Sequence, residues 1–239
     1  MILMIAIVIP AYNEEKTVAA IVKKAKKYGK VIVVDDASRD KTAIEAKKAG
    51  ALVIVHKANQ GLGGALRTGF EKALQLHADI IITIDADGQH RPEEIPRFVE
   101  MIEAGYDFVL GTRDLSKYPF VKRFGNFFLQ FFTNLISGTN LRDTESGYRA
   151  FKGEALKKFY LRAERYEIAV EIIFEVGRNR LKYANIYVDS PIYRKGVSFW
   201  DGINNFRYLM RRRKRHLRSY FEDFMFVMKN VSRSVMAKF

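Results

Sequence analysis

Apolar runs of strand length recur along the first half of the chain, at residues 4–9, 31–35, 52–55, 79–84 and 106–110. Runs this continuous in Ile and Val mark strands buried on both faces, whereas half-exposed strands alternate. Between the first four lie Glu14–Tyr28, Lys41–Ala49 and Leu62–His77, whose apolar residues recur every three to four positions and predict helices. Another helix is predicted over Pro92–Ala104, with Pro at a first-turn position and Glu93 and Glu94 where a helix amino end favours acids. Strand-helix alternation of this kind predicts an α/β fold, a mostly parallel doubly wound sheet flanked by helices.

After residue 111 the pattern changes. Phe120, Phe124, Phe127, Phe128, Phe131, Phe132, Leu135 and Ile136 fall at helical spacing. They describe either a core-facing helix or a wide apolar stripe that meets lipid or an acyl chain. Helical patterns over Gly153–Phe159 and Glu167–Leu181 follow, then a strand-like Tyr183–Val188. The remainder carries Phe199, Trp200, Ile203, Phe206 and Leu209. Next come the run Arg211-Arg212-Arg213-Lys214-Arg215 and Leu217, Tyr220, Phe221, Phe224, Met228, Val231 and Val235 at three-to-four spacing. The expected division is a domain over residues 1–198 and a basic tail of amphipathic helices over 199–239.

Composition narrows the chemistry. The chain has 239 residues, 48% of them hydrophobic, enough for one large core. It has no cysteine, which removes disulfides, thiolate metal sites and a Cys nucleophile and fits a reducing compartment. Its four histidines lack zinc-ligand spacing. The apolar start, Met1–Ile9, has neither a basic leader nor a small-residue cleavage site, and is expected to be the first core strand. No apolar run approaches the roughly 18 to 20 residues of a spanning helix. Net charge is +14, and residues 200–239 hold ten Lys/Arg against three Asp/Glu. Such an excess implies an anionic partner: nucleic acid, a membrane surface or a phosphorylated substrate.

The fourth strand ends in Asp85-Ala86-Asp87-Gly88-Gln89-His90. Ligands of open α/β sheets bind beyond the carboxyl ends of the strands. Alternation along an extended chain would put Asp85 and Asp87 on one side. Two carboxylates and the Gln89 amide suit a hard cation, Mg²⁺ or Mn²⁺, which in turn suits a diphosphate. Taken alone, Asp-x-Asp is more often an ordinary turn. Three more polar clusters follow strands on the same edge: Pro10–Glu15, Asp35–Thr42 and Asn59–Ala65. The glycines of the last cluster miss the dinucleotide fingerprint, with Leu66 where Gly is needed, and lack a Walker Gly-Lys-Ser/Thr.

These clusters resemble a known family. Pro10-Ala11-Tyr12-Asn13-Glu14, Val34-Asp35-Asp36-x-Ser38-x-Asp40-x-Thr42, Asn59-x-Gly61-x-Gly63-x-Ala65 and Asp85-Ala86-Asp87-x-Gln89-His90 look like family 2 glycosyltransferases of GT-A fold. Gly111-Thr112-Arg113 and Asp143-x-x-Ser146-Gly147-Tyr148-Arg149 continue the pattern. Their order and Gln89 are most similar to dolichyl-phosphate mannose synthases and related polyprenyl-phosphate sugar transferases, over about residues 4–198. The resemblance implies a GDP- or UDP-linked sugar donor, a divalent metal and inversion at the anomeric carbon. By position, Pro10, Tyr12, Glu14, Val34 and Asp36 would hold base and ribose, and Asp85 and Ala86 the donor. Asp85, Asp87 and Gln89 would form the metal set. Arg113, Arg123 and Arg194 would be the cations for donor and acceptor phosphates, since a guanidinium fork matches phosphate oxygens. Arg149 joins the substrate-binding set.

Asp143 has two readings. Towards a sugar hydroxyl, it or Glu145 would be the general base. Towards a polyprenyl phosphate, whose oxygen is already anionic, it would orient neighbours. Two positions depart from the family pattern: Phe199 ends Arg194-Lys195-Gly196-Val197-Ser198-Phe199 where Lys is common, and Phe127 stands where the synthases often have Ser. The basic tail would meet an anionic leaflet on the cytoplasmic side, making the protein peripheral, or pack on the catalytic domain. Nucleic acid is not expected, because no recognition motif accompanies the charge. Two readings stand beside transfer to a lipid phosphate: transfer to a hydroxyl of a glycan or glycolipid, and a non-catalytic binding module.

Overall fold

A computed structural model describes residues 3–114 and 120–189, together with Tyr208. Seven strands form one sheet: β1 (Ile5–Ala11), β2 (Lys30–Asp35), β3 (Leu52–Val55), β4 (Ile80–Thr83), β5 (Phe108–Thr112), β6 (Arg149–Lys152) and β7 (Tyr183–Tyr187). Their spatial order is β3-β2-β1-β4-β6-β5-β7. β1 pairs in parallel with β2 and β4, β2 with β3, and β5 with β7. β6 runs antiparallel between β4 and β5. The helices are α1 (Val18–Ala25), α2 (Thr42–Ala49), α3 (Gly61–Gln75), α4 (Ile95–Glu103), α5 (Phe120–Ser137), α6 (Gly153–Leu156) and α7 (Ile168–Arg178).

The alternation of side chains across β1, β2 and β4 divides the core into two layers. Ala6, Val8, Ile32, Val34 and Ile81 pack with Leu66 and Phe70 of α3 and Ile168, Ile172 and Val176 of α7. Ile7, Ile9, Val31, Val33, Ile80 and Ile82 pack with α1, α2 and α4 on the opposite face. Each fully buried Ile or Val side chain contributes roughly 1.5–3 kcal/mol, so both faces are strongly held and the strand register is fixed. The expected α/β sheet flanked by helices is therefore observed.

Three elements differ from expectation. β6 was not foreseen, because Arg149-Ala150-Phe151-Lys152 holds one apolar residue per face and no apolar run. The helix expected from Pro92 begins as a short 3-10 turn over Pro92–Glu94 before α4. β4 ends at Thr83, so Asp85 and Asp87 lie in a turn rather than on extended strand. Apart from Tyr208, the expected amphipathic tail lies outside the described residues.

Candidate active site

The carboxyl edge of β1, β2 and β4 carries three interlocked loops. After β4, the backbone N–H of Asp85 donates to His90 Nδ1 at 3.0 Å. That nitrogen must therefore carry its lone pair, which places the ring proton on Nε2. Burial holds the imidazole below its ordinary pKa, with the Asp85 charge opposing, so the ring is neutral. The 3.6 Å separation between His90 Nδ1 and Asp85 Oδ2 is consequently no ion pair. Tyr148 lies beside the His90 ring, stacks on Phe98 at 4.2 Å and donates its hydroxyl to Arg91 O. Asp85 and Asp87 thus owe their placement to a turn closed by His90, and not to strand alternation.

Gln89 N–H and side-chain Nε2 both donate to the Asp87 carboxylate, at 3.0 and 2.6 Å. Gln89 is buried, whereas Asp85 and Asp87 are partly exposed. A half-turn of the Gln89 amide about its terminal bond exchanges nitrogen for oxygen. The set then offers two carboxylates and a carbonyl oxygen, all hard donors. Few protein ligands with room for phosphate oxygens is the arrangement Mg²⁺ uses. The residues present fit such an ion, although among the described residues no three His, Cys, Asp or Glu side chains cluster as a metal site. Opposite them stands Gly147. A Cβ there would lie 2.5 Å and 2.6 Å from the two Asp85 carboxylate oxygens.

On the β1–β2 side, Asn13 N–H donates to Ser38 Oγ, and Asn13 Oδ1 accepts from Arg39 N–H. Glu14 N–H donates to Thr42 Oγ1 at 2.8 Å. These bonds tie the loop after β1 to the loop after β2 and leave Tyr12 43% exposed beside them. Pro10 pairs in register with Val34, whose side chain is fully buried in the core. Only the backbone of Val34 can therefore meet a ligand. Asp36 is also buried; its carboxylate accepts from Gln60 N–H and Gly61 N–H at 2.8 Å each and contacts His56 Nδ1 at 2.7 Å. It caps the start of α3. Ala86 is buried in the core beneath the turn.

The third part of the site follows β5. Arg113 donates to Asp143 through Nε (2.7 Å), one terminal nitrogen (2.8 Å) and the backbone N–H (3.0 Å). Asp143 is almost wholly buried and sits at a φ of 51°, with its own N–H held by Gln130 Oε1 from α5. A cleft of about 270 Å³ opens here, lined by Thr112, Arg113, Asp114, Gln130, Arg142, Asp143 and Tyr187. Arg142 donates to the Tyr187 hydroxyl at 2.6 Å.

Comparison with known proteins gives this arrangement a family. The sequence model of the family described as glycosyl transferase family 2 matches residues 6–160. The chain belongs to glycosyl transferase family 2. Among its relatives is the UDP-N-acetylglucosamine--dolichyl-phosphate N-acetylglucosaminyltransferase of Methanococcus voltae, 36% identical over 77% of this chain and 84% of that one. The undecaprenyl-phosphate mannosyltransferase of Micrococcus luteus is 30% identical over 72% and 76%. Glucosyl-3-phosphoglycerate synthase from Mycobacterium tuberculosis, crystallised with Mn²⁺, UDP-glucose and phosphoglyceric acid, superposes with a TM-score of 0.67. At 19% identity over 86% of this chain and 79% of that one, it speaks for the fold.

Within this family 2 enzyme the structure separates residues that the sequence grouped. Asp85, Asp87 and Gln89 share one turn, with Arg149 buried beneath it at 2% exposure. Burial pushes the Arg149 guanidinium down to about 10, against the carboxylates of Glu145, Asp85 and Asp143. Its Nε has no hydrogen-bond acceptor among the described residues. Arg149 is thus a cation under the site and not at its surface. Arg123 is exposed on α5, in line with Phe127 and Phe131 at four-residue spacing, and does not line the cleft. Arg194 and the departure at Phe199 lie outside the described residues. Sequence reasoning missed Arg142, Gln130 and Tyr187, which line the cleft without belonging to any motif. Gly61 and Gly63, which the sequence placed in a polar cluster of the carboxyl edge, have a packing role. In the fold a Cβ at Gly61 would lie 2.4 Å from Glu164 O, and one at Gly63 would lie 2.0 Å from Ala163 O. These glycines admit a neighbouring loop.

Proposed function

We propose that this enzyme transfers a sugar from a nucleoside-diphosphate donor, UDP- or GDP-linked, to a polyprenyl phosphate of dolichyl type. The Arg113–Asp143 fork carries the reading. Asp143 accepts three hydrogen bonds from Arg113, so it anchors a cation at the cleft wall in place of serving as a base. An acceptor that brings its own anionic oxygen needs no base and is drawn to Arg113 and Arg142. The two relatives, named for transfer to dolichyl and undecaprenyl phosphates, support the same acceptor class.

In this reading an acceptor phosphate oxygen forms a bond to the anomeric carbon on the face opposite the leaving group. The bond from that carbon to the donor diphosphate breaks, and a nucleoside diphosphate leaves with the electron pair. Inversion follows from the single displacement. Asp85, Asp87 and Gln89 would hold Mg²⁺ or Mn²⁺, which when bound stabilises charge on the departing diphosphate. His90 and Gly147 keep Asp85 in place for that task. The loops of Tyr12, Glu14 and Asp36 form the wall for base and ribose, Asp36 acting from beneath by shaping the start of α3.

Residues 1–198 would be the catalytic domain and 199–239 a membrane-surface tail. No helix among the described residues is long and apolar enough to cross a membrane. On α5, Phe127, Phe128 and Phe131 are 61%, 44% and 51% exposed, an apolar strip close to the cleft through Gln130. Such a strip suits the prenyl chain or the leaflet that holds it. Lipid extraction after incubation with radiolabelled donor tests the acceptor. An organic-soluble, mild-acid-labile product is expected; label found only in a water-soluble glycan would overturn the lipid-phosphate reading.

A further inference from the structure

α7 carries a buried acid that the transfer step does not use. Glu171 is fully buried, and its carboxylate accepts from Arg162 N–H at 2.9 Å and Ala163 N–H at 2.9 Å. It also accepts from the Tyr208 hydroxyl at 2.7 Å. Tyr208 packs against the α3–α7 face of the core. Only two residues separate it from the run Arg211–Arg215. Burial raises the Tyr208 phenol, which keeps it a proton donor.

The segment held by Glu171 bears directly on the donor side. Glu164 O accepts from Gly63 N–H at 2.7 Å, and Ala163 O accepts from Arg67. Gly61 and Gly63 leave no room for a Cβ against these two carbonyls. On its other side the same turn donates Gln60 N–H and Gly61 N–H to Asp36. Asp36 N–H in turn bonds to Ala11 O at 2.9 Å, where the loop of Tyr12 begins. An unbroken series of short contacts thus joins Tyr208 to the wall assigned to base and ribose.

We infer that Tyr208 and Glu171 are positioning residues for the donor: they clamp residues 162–164 onto the turn that opens α3 and so fix the Asp36 wall. The inference rests on the nucleotide-donor reading above. It links the basic tail segment to donor affinity, since any movement that draws Tyr208 off Glu171 loosens the clamp. Acceptor binding at the Arg113 cleft involves none of these residues.

The test is Tyr208→Phe in the full chain, which keeps the ring and removes the hydroxyl. UDP and GDP affinities are measured by titration calorimetry with MgCl₂ present, alongside steady-state kinetics and amide hydrogen exchange. Losing a hydrogen bond to a carboxylate is expected to weaken nucleotide binding and raise donor KM by about fivefold to tenfold. Acceptor KM and kcat stay unchanged, and exchange quickens at residues 61–64 and 162–164. Two results overturn the inference alone: nucleotide affinity equal to wild type, or parallel loss of donor and acceptor KM with a lowered Tm. A wild-type protein that binds neither nucleotide overturns the donor reading and the inference together.

Discussion

Replacing Gly147 with alanine adds one methyl group, and the structure says where it goes. The new Cβ would lie 2.5 Å from Asp85 Oδ1, 2.6 Å from Oδ2 and 2.8 Å from Cγ. Carbon and oxygen settle at roughly 3.3 Å or beyond, so the carboxylate must retreat by about 0.7 to 1 Å. Gly147 has an ordinary negative φ, so alanine strains no backbone there. The displaced group is the far end of a side chain, 39% exposed, with space to turn outward. The expected stability change is therefore small, below about 1 kcal/mol. The expected functional change is large: a misplacement near 1 Å costs about 100-fold in rate. The assay is kcat/KM for transfer across a Mn²⁺ titration, with Tm measured on the same preparation. A Gly147→Ala enzyme with wild-type kcat/KM would falsify the placement of Asp85 in the metal set. A Tm drop of many degrees would show instead that Gly147 serves the fold.

Asp87→Ala should lower metal-dependent kcat/KM on the order of 100-fold, with an unchanged circular dichroism spectrum; full turnover in the variant would remove Asp87 from the ion. Asp143→Asn leaves the Arg113 guanidinium half-buried without its counter-charge and should cost about 3 kcal/mol in urea unfolding, and equal midpoints for variant and wild type would contradict the anchoring role. The double change Phe127→Ser, Phe131→Ser removes two half-exposed rings. It should alter stability by less than about 0.5 kcal/mol while weakening binding to anionic vesicles about tenfold. Undiminished vesicle sedimentation would place the membrane contact elsewhere.

Much of this architecture was legible from periodicity, because strands such as Ile80–Thr83 are buried on both faces and so read as unbroken apolar runs. β6 escaped for the opposite reason: four residues that insert antiparallel between β4 and β5 have no periodic signature of their own. At the site, the identity of Asp85 and Asp87 was visible, but the cause of their placement was not. It lies in the Asp85 N–H to His90 bond and in Gly147, a residue 62 positions away in the chain. The reason for glycine at 61 and 63 was hidden too, because sequence shows only the missing side chain, and not the Ala163 and Glu164 carbonyls that occupy the space. Glu171 had a signal that went unread. It and Glu175 are the sole charged residues between Ile168 and Gly177 of a helix that is otherwise apolar, and both are fully buried. Arg142 and Tyr187 meet across the cleft from separate elements, a proximity that no local pattern encodes.

The antiparallel insertion of β6 also sets an order of assembly. β2 pairs with β1 and β3 over short separations in sequence, whereas Ile5 of β1 finds Ile80, Ile80 of β4 finds Lys152 and Phe108 of β5 finds Tyr183. Contacts between distant residues carry the larger loop-closure cost and form later. A nascent chain emerging amino end first can pair β1, β2 and β3 while β6 is still inside the ribosome. It then holds Asp85 and Asp87 without Gly147 or Arg149 to orient them. The complete site therefore arrives with the last strands to dock, and slowing translation between residues 112 and 149 should prolong the stage at which it is unfinished.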